Sequence, residues 1–141
     1  YNVKVGIQNH CDREVSSTMG IHYLVSKFDP KYIGAILDVG HCGLAGEPLD
    51  LAFDILESHL CLVNFKNAFW QRMNGPEAEI AEFDHYWTTG RHGMGRWDQA
   101  VEELKKRNYK GDLCISGEYA RKNEVETLAR EDLRFLKSLV D

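Results

Sequence analysis

The sequence predicts an α/β fold in which parallel strands alternate with helices that lie outside the sheet. Four short apolar runs occur along the 141 residues, and each is followed by a segment with helical spacing of apolar side chains. The resulting order, β-α-β-α-β-α-β-α, is typical of a parallel sheet covered by helices. A hydrophobic content of 43% and a charged content of 28% agree with an ordinary globular domain.

The first unit begins with apolar side chains that alternate over residues 3–8, which predicts a strand ending at Gln8. Ser16–Thr18 offers N-cap side chains for a helix that runs to Phe28. Pro30 ends this helix, because the residue before a proline is pushed out of the α region.

The second predicted strand is the apolar run that ends at Asp38. Residues 43–46 contain two glycines and predict a loop, and Pro48 suits the first turn of a helix that runs to Leu56. A third strand is predicted over 60–65.

The segment 68–96 has no strong periodicity and is too long for a simple connection, so we predict a functional loop or lid. A helix over 97–104 is predicted to end near 108–111. The fourth strand at 113–115 is followed by a final helix over 125–139. The aromatic side chains of the long segment are predicted to pack the loop rather than to cover a site; they are Phe69, Trp70, Tyr86 and Trp87.

Charge and cysteine usage argue against several classes of protein. The net charge of -5 and the absence of a Lys/Arg run argue against a nucleic-acid-binding surface. No signal peptide and no apolar run of membrane-spanning length is recognised. The cysteines show no C-x-x-C pair and favour a reduced, cytoplasmic setting over a disulfide framework. They are Cys11, Cys42, Cys61 and Cys114.

The number of units indicates half of a larger barrel. A closed (β/α)8 barrel takes about 250 residues, and this chain supplies four of its eight units. An open sheet is an alternative, but we favour a half-barrel that forms a single domain over residues 1–141. Since uncovered sheet edges invite pairing, we expect a homo-oligomer or complementation by a missing N-terminal half.

Polar side chains follow each predicted strand at the point where the strand ends. In a parallel sheet these ends lie on one side, so the side chains are expected to converge. Their oxygen and nitrogen atoms suit a divalent metal (Mn, Mg, Zn or Co), with Mn or Mg favoured by the carboxylates. The residues are Gln8, Asn9 and His10, Asp38 and His41, Asn64 and Lys66, and Glu118.

Three of these residues have plainer alternatives. Asp38 could cap the following backbone amides instead of binding a metal, although we favour the metal role. His41 could be a packing histidine, which we favour over direct ligation. Glu118 could form an exposed salt bridge, although we favour its membership of the site.

Other candidates are open in the same way. Lys66 could extend to solvent or bind a substrate oxygen, and His10 and His92 could be surface histidines. The glycine-dense stretch 90–95 precedes a helix, so its backbone amides could bind a phosphate or sugar hydroxyls. It does not directly follow a strand and lacks the full dinucleotide-binding fingerprint.

Taken together, the motifs resemble the C-terminal half of the xylose isomerase-like TIM barrels, the sugar phosphate isomerase/epimerase group. The resemblance covers nearly all 141 residues as strands five to eight and implies a (β/α)4 half of a TIM barrel. The motifs are Ile7–His10, Leu37–His41, Val63–Asn67, Gly93–Asp98, and Tyr109–Gly111 leading to Glu118-Tyr119.

In that family one divalent metal is held by a Glu, an Asp, a His and a Glu from these four strands. Asp38 and Glu118 match, whereas Gln8 stands where the first Glu is expected and Asn64 where the His is expected. The resemblance implies that these four residues hold the metal, two of them through amide oxygens. Because Gln cannot act as a general base, Glu118 is the expected acid/base, assisted by Lys66.

The implied function is metal-assisted proton transfer on a ketose or related polyol by a sugar or sugar phosphate isomerase/epimerase. A catalytically degenerate sugar-binding or assembly protein is the alternative that the exchanged ligands favour. Phosphodiester cleavage, as in the endonuclease IV branch with its three-metal cluster, is less favoured because the chain is acidic and has few histidines. The expected substrate-binding residues are His10, His41, Asn64, Arg91 and His92.

Overall fold

The computed structural model describes residues 3–141, and its elements confirm the alternation of strands and helices. Residues 1 and 2 of the predicted domain lie outside the described range. In chain order the elements are β1 (Val5–Gln8), α1 (Thr18–Val25), β2 (Ile33–Asp38), α2 (Val39–Ala45), α3 (Leu49–Leu56), β3 (Leu60–Phe65), β4 (Asn67–Arg72), β5 (Phe83–Thr88), α4 (Trp97–Lys106), β6 (Asp112–Ile115), a 3-10 turn (Lys122–Glu124) and α5 (Val125–Val140).

Four of the strands form one parallel sheet in the spatial order β1-β2-β3-β6. The register pairs Asp38 with Asn64 and Asn64 with Cys114, so the carboxyl ends of the strands lie on one side. The predicted half-barrel of parallel strands with helices outside is therefore confirmed. Within the described residues β1 pairs only with β2 and β6 only with β3, so both edges of this sheet are open.

The helix-facing side of the sheet forms the core. Leu37, Val63 and Phe65 are fully buried in one cluster with the apolar faces of the helices. Because side chains alternate along a strand, Ile36 and Leu62 face the opposite side, where they are only partly buried. In a barrel with external helices, that opposite side is the interior.

The first helix begins at its predicted cap and ends earlier than predicted. Ser17 Oγ accepts a hydrogen bond from the Gly20 backbone N–H at 3.1 Å, which satisfies a free amide of the first turn. The α-helix ends at Val25 instead of Phe28, and a single turn from Phe28 N–H to Val25 O (2.9 Å) follows it.

Helix α2 directly follows β2, and the prediction of a loop over 43–46 was wrong for most of its length. Glycines lower helix propensity, but here they are required by close packing. A Cβ at Gly43 would lie 2.5 Å from the Gly95 nitrogen, and a Cβ at Gly40 would lie 2.7 Å from the Lys66 carbonyl oxygen. Tertiary contact therefore overrides the local preference.

The segment 68–96 contains an antiparallel hairpin, β4–β5, where the sequence indicated an irregular loop. Phe69 stacks on Tyr86 with ring centroids 5.3 Å apart, so these two of the four aromatic residues pack the hairpin as expected. Among the described residues, no helix combines the length and the apolar character needed to cross a bilayer.

Candidate functional site at the carboxyl edge of the sheet

Side chains from all four parallel strands converge at the carboxyl edge of the sheet, as expected. Gln8 Nε2 donates to Asp38 Oδ2 at 2.7 Å, and Asn64 Nδ2 donates to the same oxygen at 2.6 Å. Lys66, one residue beyond β3, donates to Glu118 Oε2 at 3.2 Å. We call these five residues the Asp38 cluster.

Asp38 lies at the centre of this cluster and is fully buried. Its Oδ1 accepts the His41 backbone N–H at 3.0 Å, so Asp38 also caps α2. Capping of the following backbone amides was the alternative role that the sequence allowed for this residue. Burial raises the pKa of the Asp38 carboxyl, whereas Lys66 and the donated hydrogen bonds oppose this shift. Each of the two carboxyl oxygens therefore has a hydrogen-bond donor directed at it.

Lys66 does not extend to solvent, because its side chain is only 3% exposed. Its Nζ lies 3.7 Å from Asp38 Oδ2 and 3.2 Å from Glu118 Oε2, and 4.6 Å from the centroid of the Trp87 ring. Glu118 is 47% exposed, so one carboxylate of the pair is buried and the other is open to solvent. The ammonium thus bridges the two carboxylates that the sequence assigned to a metal.

The amide groups of the Asp38 cluster are oriented as donors toward its centre. Asn64 Oδ1 accepts the Ser116 hydroxyl at 2.8 Å, which leaves the Asn64 Nδ2 to face Asp38. Gln8 likewise presents its Nε2 to the carboxylate. A divalent cation needs oxygen lone pairs, yet these side chains present N–H groups and an ammonium. As arranged, Gln8, Asp38, Asn64 and Glu118 do not fit the expected metal.

A second polar cluster lies beside the first and consists of His10, Cys11 and His41. The possible ligand atoms of these three residues all lie within 4.8 Å of one another. Burial lowers the pKa of His41 to about 3 and raises the pKa of Cys11 to about 11, so an imidazole and a thiol are the neutral forms present. We call this group the His10–Cys11–His41 cluster.

Arg91 and His92 contact other parts of the molecule. The Arg91 guanidinium lies 3.9 Å from the centroid of the Phe135 ring on α5, and His92 Nδ1 lies 2.8 Å from Thr89 Oγ1. Neither has a hydrogen bond or ion pair with the Asp38 cluster among the described contacts.

The glycine-rich stretch 90–95 is used for internal packing. The Gly95 N–H donates to Asn67 Oδ1 at 2.7 Å, and the Gly90 N–H donates to Asp132 Oδ1 at 2.8 Å. A Cβ at Gly93 would lie 2.0 Å from Asn67 Oδ1. The backbone N–H groups at both ends of this stretch therefore form hydrogen bonds within the fold. They are not available for the phosphate or sugar hydroxyls that the sequence predicted here.

Ser116 and Cys11 were not predicted as site residues, and Trp87 was predicted to pack the loop rather than to cover a site, which is wrong for this residue. Trp87 contacts both the Lys66 ammonium and the His41 ring, the latter at 5.5 Å between centroids. Ser116 fixes the Asn64 amide, and Cys11 contributes a sulfur next to two imidazoles. Cys11 carried one usable signal, its position directly after a strand-end histidine.

The parallel half-barrel and the polar cluster at its carboxyl edge define a protein of the TIM-barrel class. The chain belongs to the xylose isomerase-like TIM barrel family, whose model matches residues 1–139. Two similar proteins are the inosose dehydratases of Mesomycoplasma hyopneumoniae strains 7448 and 232, each 22% identical over 147 residues. These matches cover 99% of this chain and 49% of each relative, so the chain spans about half the length of these proteins.

Two solved structures share the fold. One is a D-psicose 3-epimerase in the presence of D-fructose, with a TM-score of 0.61 and 12% identity, covering 97% of this chain and 49% of that one. The other is a D-psicose 3-epimerase with D-tagatose from Clostridium cellulolyticum H10, also with a TM-score of 0.61 and 12% identity, covering 99% and 50%. At this identity the likeness establishes the fold.

Proposed function

We propose that this chain carries the proton-transfer site of a sugar isomerase/epimerase-type protein, in which Lys66 and Glu118 act on a polyhydroxy ketone. The observation that carries the proposal is the placement of a buried ammonium 3.2 Å from a half-exposed carboxylate at the carboxyl edge of a parallel sheet. This edge is where TIM-barrel proteins build their active sites.

The chemistry follows from the two groups. The Lys66 ammonium donates a hydrogen bond to the ketone oxygen, and the Glu118 carboxylate removes the proton from the adjacent carbon. The C–H electron pair becomes a C=C bond, and the carbonyl π pair moves to the oxygen, where the ammonium stabilises the developing charge. For isomerisation the proton returns to the former carbonyl carbon, and the hydroxyl proton of the first carbon passes to the enolate oxygen as that hydroxyl becomes the new carbonyl. For epimerisation the proton returns to the opposite face of the first carbon, and the original carbonyl forms again.

The substrate class is a small sugar or sugar-like ketone. The names of the similar proteins refer to psicose, fructose, tagatose and inosose, which share a ketone flanked by hydroxyl-bearing carbons. Of the residues expected to bind substrate at this edge, His10 is partly exposed, whereas His41 and Asn64 are buried, so His10 is the proposed contact for a substrate hydroxyl. We leave Arg91 and His92 out of this contact set, because their described contacts are with Phe135 and Thr89.

The open inner face of the half-barrel motivates a further part of the proposal. In the part of the chain that the structure describes, both outer strands of the parallel sheet have unpaired edges, and Ile36 and Leu62 on the inner face are only partly buried. A second half-barrel, supplied by a longer chain or by another copy, would cover this face. The molecular mass in solution distinguishes these arrangements from an isolated monomer.

Hydrogen exchange tests the proposed chemistry directly. The purified protein is incubated in D2O with D-fructose, D-tagatose, D-psicose and an inosose, and deuterium next to the ketone is measured by NMR. We expect exchange that persists with a chelator and falls on the order of 100-fold or more in Glu118→Gln. The matched control is Glu126→Gln, an exposed glutamate on α5.

Undiminished exchange in Glu118→Gln would remove Glu118 from its role. Sugar binding without any exchange would instead support a sugar-binding protein that has lost catalysis. That second candidate is favoured by one feature, the replacement of two charged or basic ligands by the neutral amides of Gln8 and Asn64.

A further inference from the structure

We infer that His10, Cys11 and His41 form a Zn2+ site whose fourth position is open to water or a ligand. Two imidazoles and one thiolate are a typical donor set for zinc, and three protein ligands plus an open position are the arrangement of catalytic zinc sites. This site differs in every residue from the oxygen-rich set expected at Asp38.

The fold brings the three side chains together from two neighbouring strands. His10 and Cys11 follow β1, and His41 lies in the first turn of α2 after β2. The loop after β1 is held by the hydrogen bond from His10 N–H to Val15 O at 2.8 Å. The two imidazole rings lie with centroids 3.9 Å apart, and Cys11 Sγ lies 3.0 Å from His41 Nδ1.

The hydrogen bond made by His10 Nδ1 leaves the lone pair of its Nε2 available to a metal. His10 Nδ1 lies 2.6 Å from the Cys11 carbonyl oxygen. Since a carbonyl only accepts, Nδ1 carries the proton in the neutral ring, and Nε2 keeps a free lone pair. Metal-bound histidines commonly donate their other N–H to a backbone carbonyl in this way.

His41 presents the unexplained atom of the cluster. The ring is fully buried, and within the described residues its Nε2 has no hydrogen-bond partner. Leaving a buried polar atom unpaired costs about 1–3 kcal/mol, so packing alone gives no reason to retain an imidazole here. Its Nδ1 accepts the Cys11 backbone N–H at 3.3 Å and lies 3.0 Å from the Cys11 sulfur. Binding of Zn2+ through Nε2 therefore requires the tautomer that carries its proton on Nδ1, where the sulfur can accept it.

Distances and charges are compatible with a cation. In a tetrahedral zinc site the ligand atoms are roughly 3.5 Å apart, so ligand atoms within 4.8 Å need only a small adjustment. The partly exposed His10 provides the route to solvent, whereas Cys11 and His41 are buried. The charged side chains acting on the Cys11 sulfur are the carboxylates of Asp12 and Asp38 and the ammonium of Lys66, a net negative set.

Binding converts the Cys11 thiol to a thiolate. The S–H bond breaks, the proton leaves to the buffer, and the sulfur lone pair forms the bond to Zn2+, so no oxidant or reductant is needed. The other two bonds come from the neutral nitrogens of His10 and His41.

Titration of the metal-free protein with Co2+ and then Zn2+ tests the site. We expect one Co2+ per chain with a thiolate-to-cobalt absorption that Zn2+ removes. Cys11→Ser should lose that absorption and bind Zn2+ at least about 100-fold more weakly. Cys114→Ser, at an exposed cysteine, should behave as the parent protein.

The inference is overturned if the parent shows no thiolate absorption, or if Cys11→Ser binds Zn2+ as tightly as the parent. Circular dichroism reports whether Cys11→Ser is folded. If it is not, His10→Asn on the partly exposed side decides: weakened Zn2+ binding supports the site, and unchanged binding removes it. The readout is metal absorption, so it is independent of turnover at Glu118.

Discussion

The Asp38 cluster and the His10–Cys11–His41 cluster lie at the same edge of the sheet but differ in how their polar atoms are satisfied. In the first, amides, a backbone N–H and an ammonium surround one carboxylate. In the second, the possible metal-ligand atoms of two imidazoles and one thiol lie close together, and the Nε2 of His41 has no hydrogen-bond partner among the described residues. Neighbouring sites of one fold can thus have opposite needs for a cation.

The difference follows from a few side chains. The family pattern implies charged or basic ligands at the positions of Gln8 and Asn64, but neutral amides can rotate their N–H groups toward Asp38. Lys66 then supplies the positive charge that the buried carboxylate requires. Within the described residues no donor or acceptor reaches the Nε2 of His41, which leaves the second cluster as the one suited to an external ion.

Removing the Lys66 charge should change the free energy of unfolding more than the other substitutions considered below. Lys66→Met keeps much of the side-chain volume but leaves Asp38 buried without its ammonium, so we expect the free energy of unfolding to fall by about 3 kcal/mol. Urea denaturation measures the loss. Lys110→Met, at an exposed lysine, is the matched control, and an equally small change in both variants would show that Lys66 does not compensate Asp38.

A double-mutant cycle isolates the interaction between Asp38 and Lys66, for which we expect an effect of intermediate size. Asp38→Asn removes the charge but keeps a good cap for α2, so the cycle with Lys66→Met reports chiefly the interaction of the two charges. We expect a coupling of about 1–2 kcal/mol. Additive effects in denaturation experiments would mean that the 3.7 Å approach contributes nothing to stability.

The smallest effect is expected at a cap remote from the functional argument. Ser17→Ala removes the side-chain acceptor for the Gly20 N–H at the start of α1 and should lower stability by about 1 kcal/mol. Thermal unfolding measures it, and the Co2+ absorption should stay as in the parent. A changed Co2+ spectrum would instead show that α1 influences the His10–Cys11–His41 cluster.

Much of the fold was predictable because it rests on local patterns. The apolar runs predicted β2 and β3, and alternation predicted all of β1, although the predicted strand began two residues too early. Helix α2 was missed because its glycines are explained only by contacts with Lys66 and Gly95, which are distant in sequence. The β4–β5 hairpin was missed because its long connection obscures the pairing.

The candidate site was predictable in position but less so in chemistry. Parallel topology alone brings Gln8, Asp38, Asn64 and Glu118 together. The direction of each amide is set by partners that the sequence does not identify, such as Ser116 for Asn64. Likewise, the position of the Lys66 ammonium depends on Trp87 of the unpredicted hairpin.

Replacement of a metal by the Lys66 ammonium is tested by measuring how Mn2+ affects the unfolding of the parent protein and of Lys66→Ala. Mn2+ is the appropriate probe because it prefers oxygen ligands over thiolate. If the ammonium replaces a metal, the parent should be unaffected, whereas Lys66→Ala should gain about 2.7 kcal/mol at a Mn2+ concentration of 100 times its Kd. Stabilisation of the parent by Mn2+, with none in Lys66→Ala, would show that the ammonium does not replace a metal.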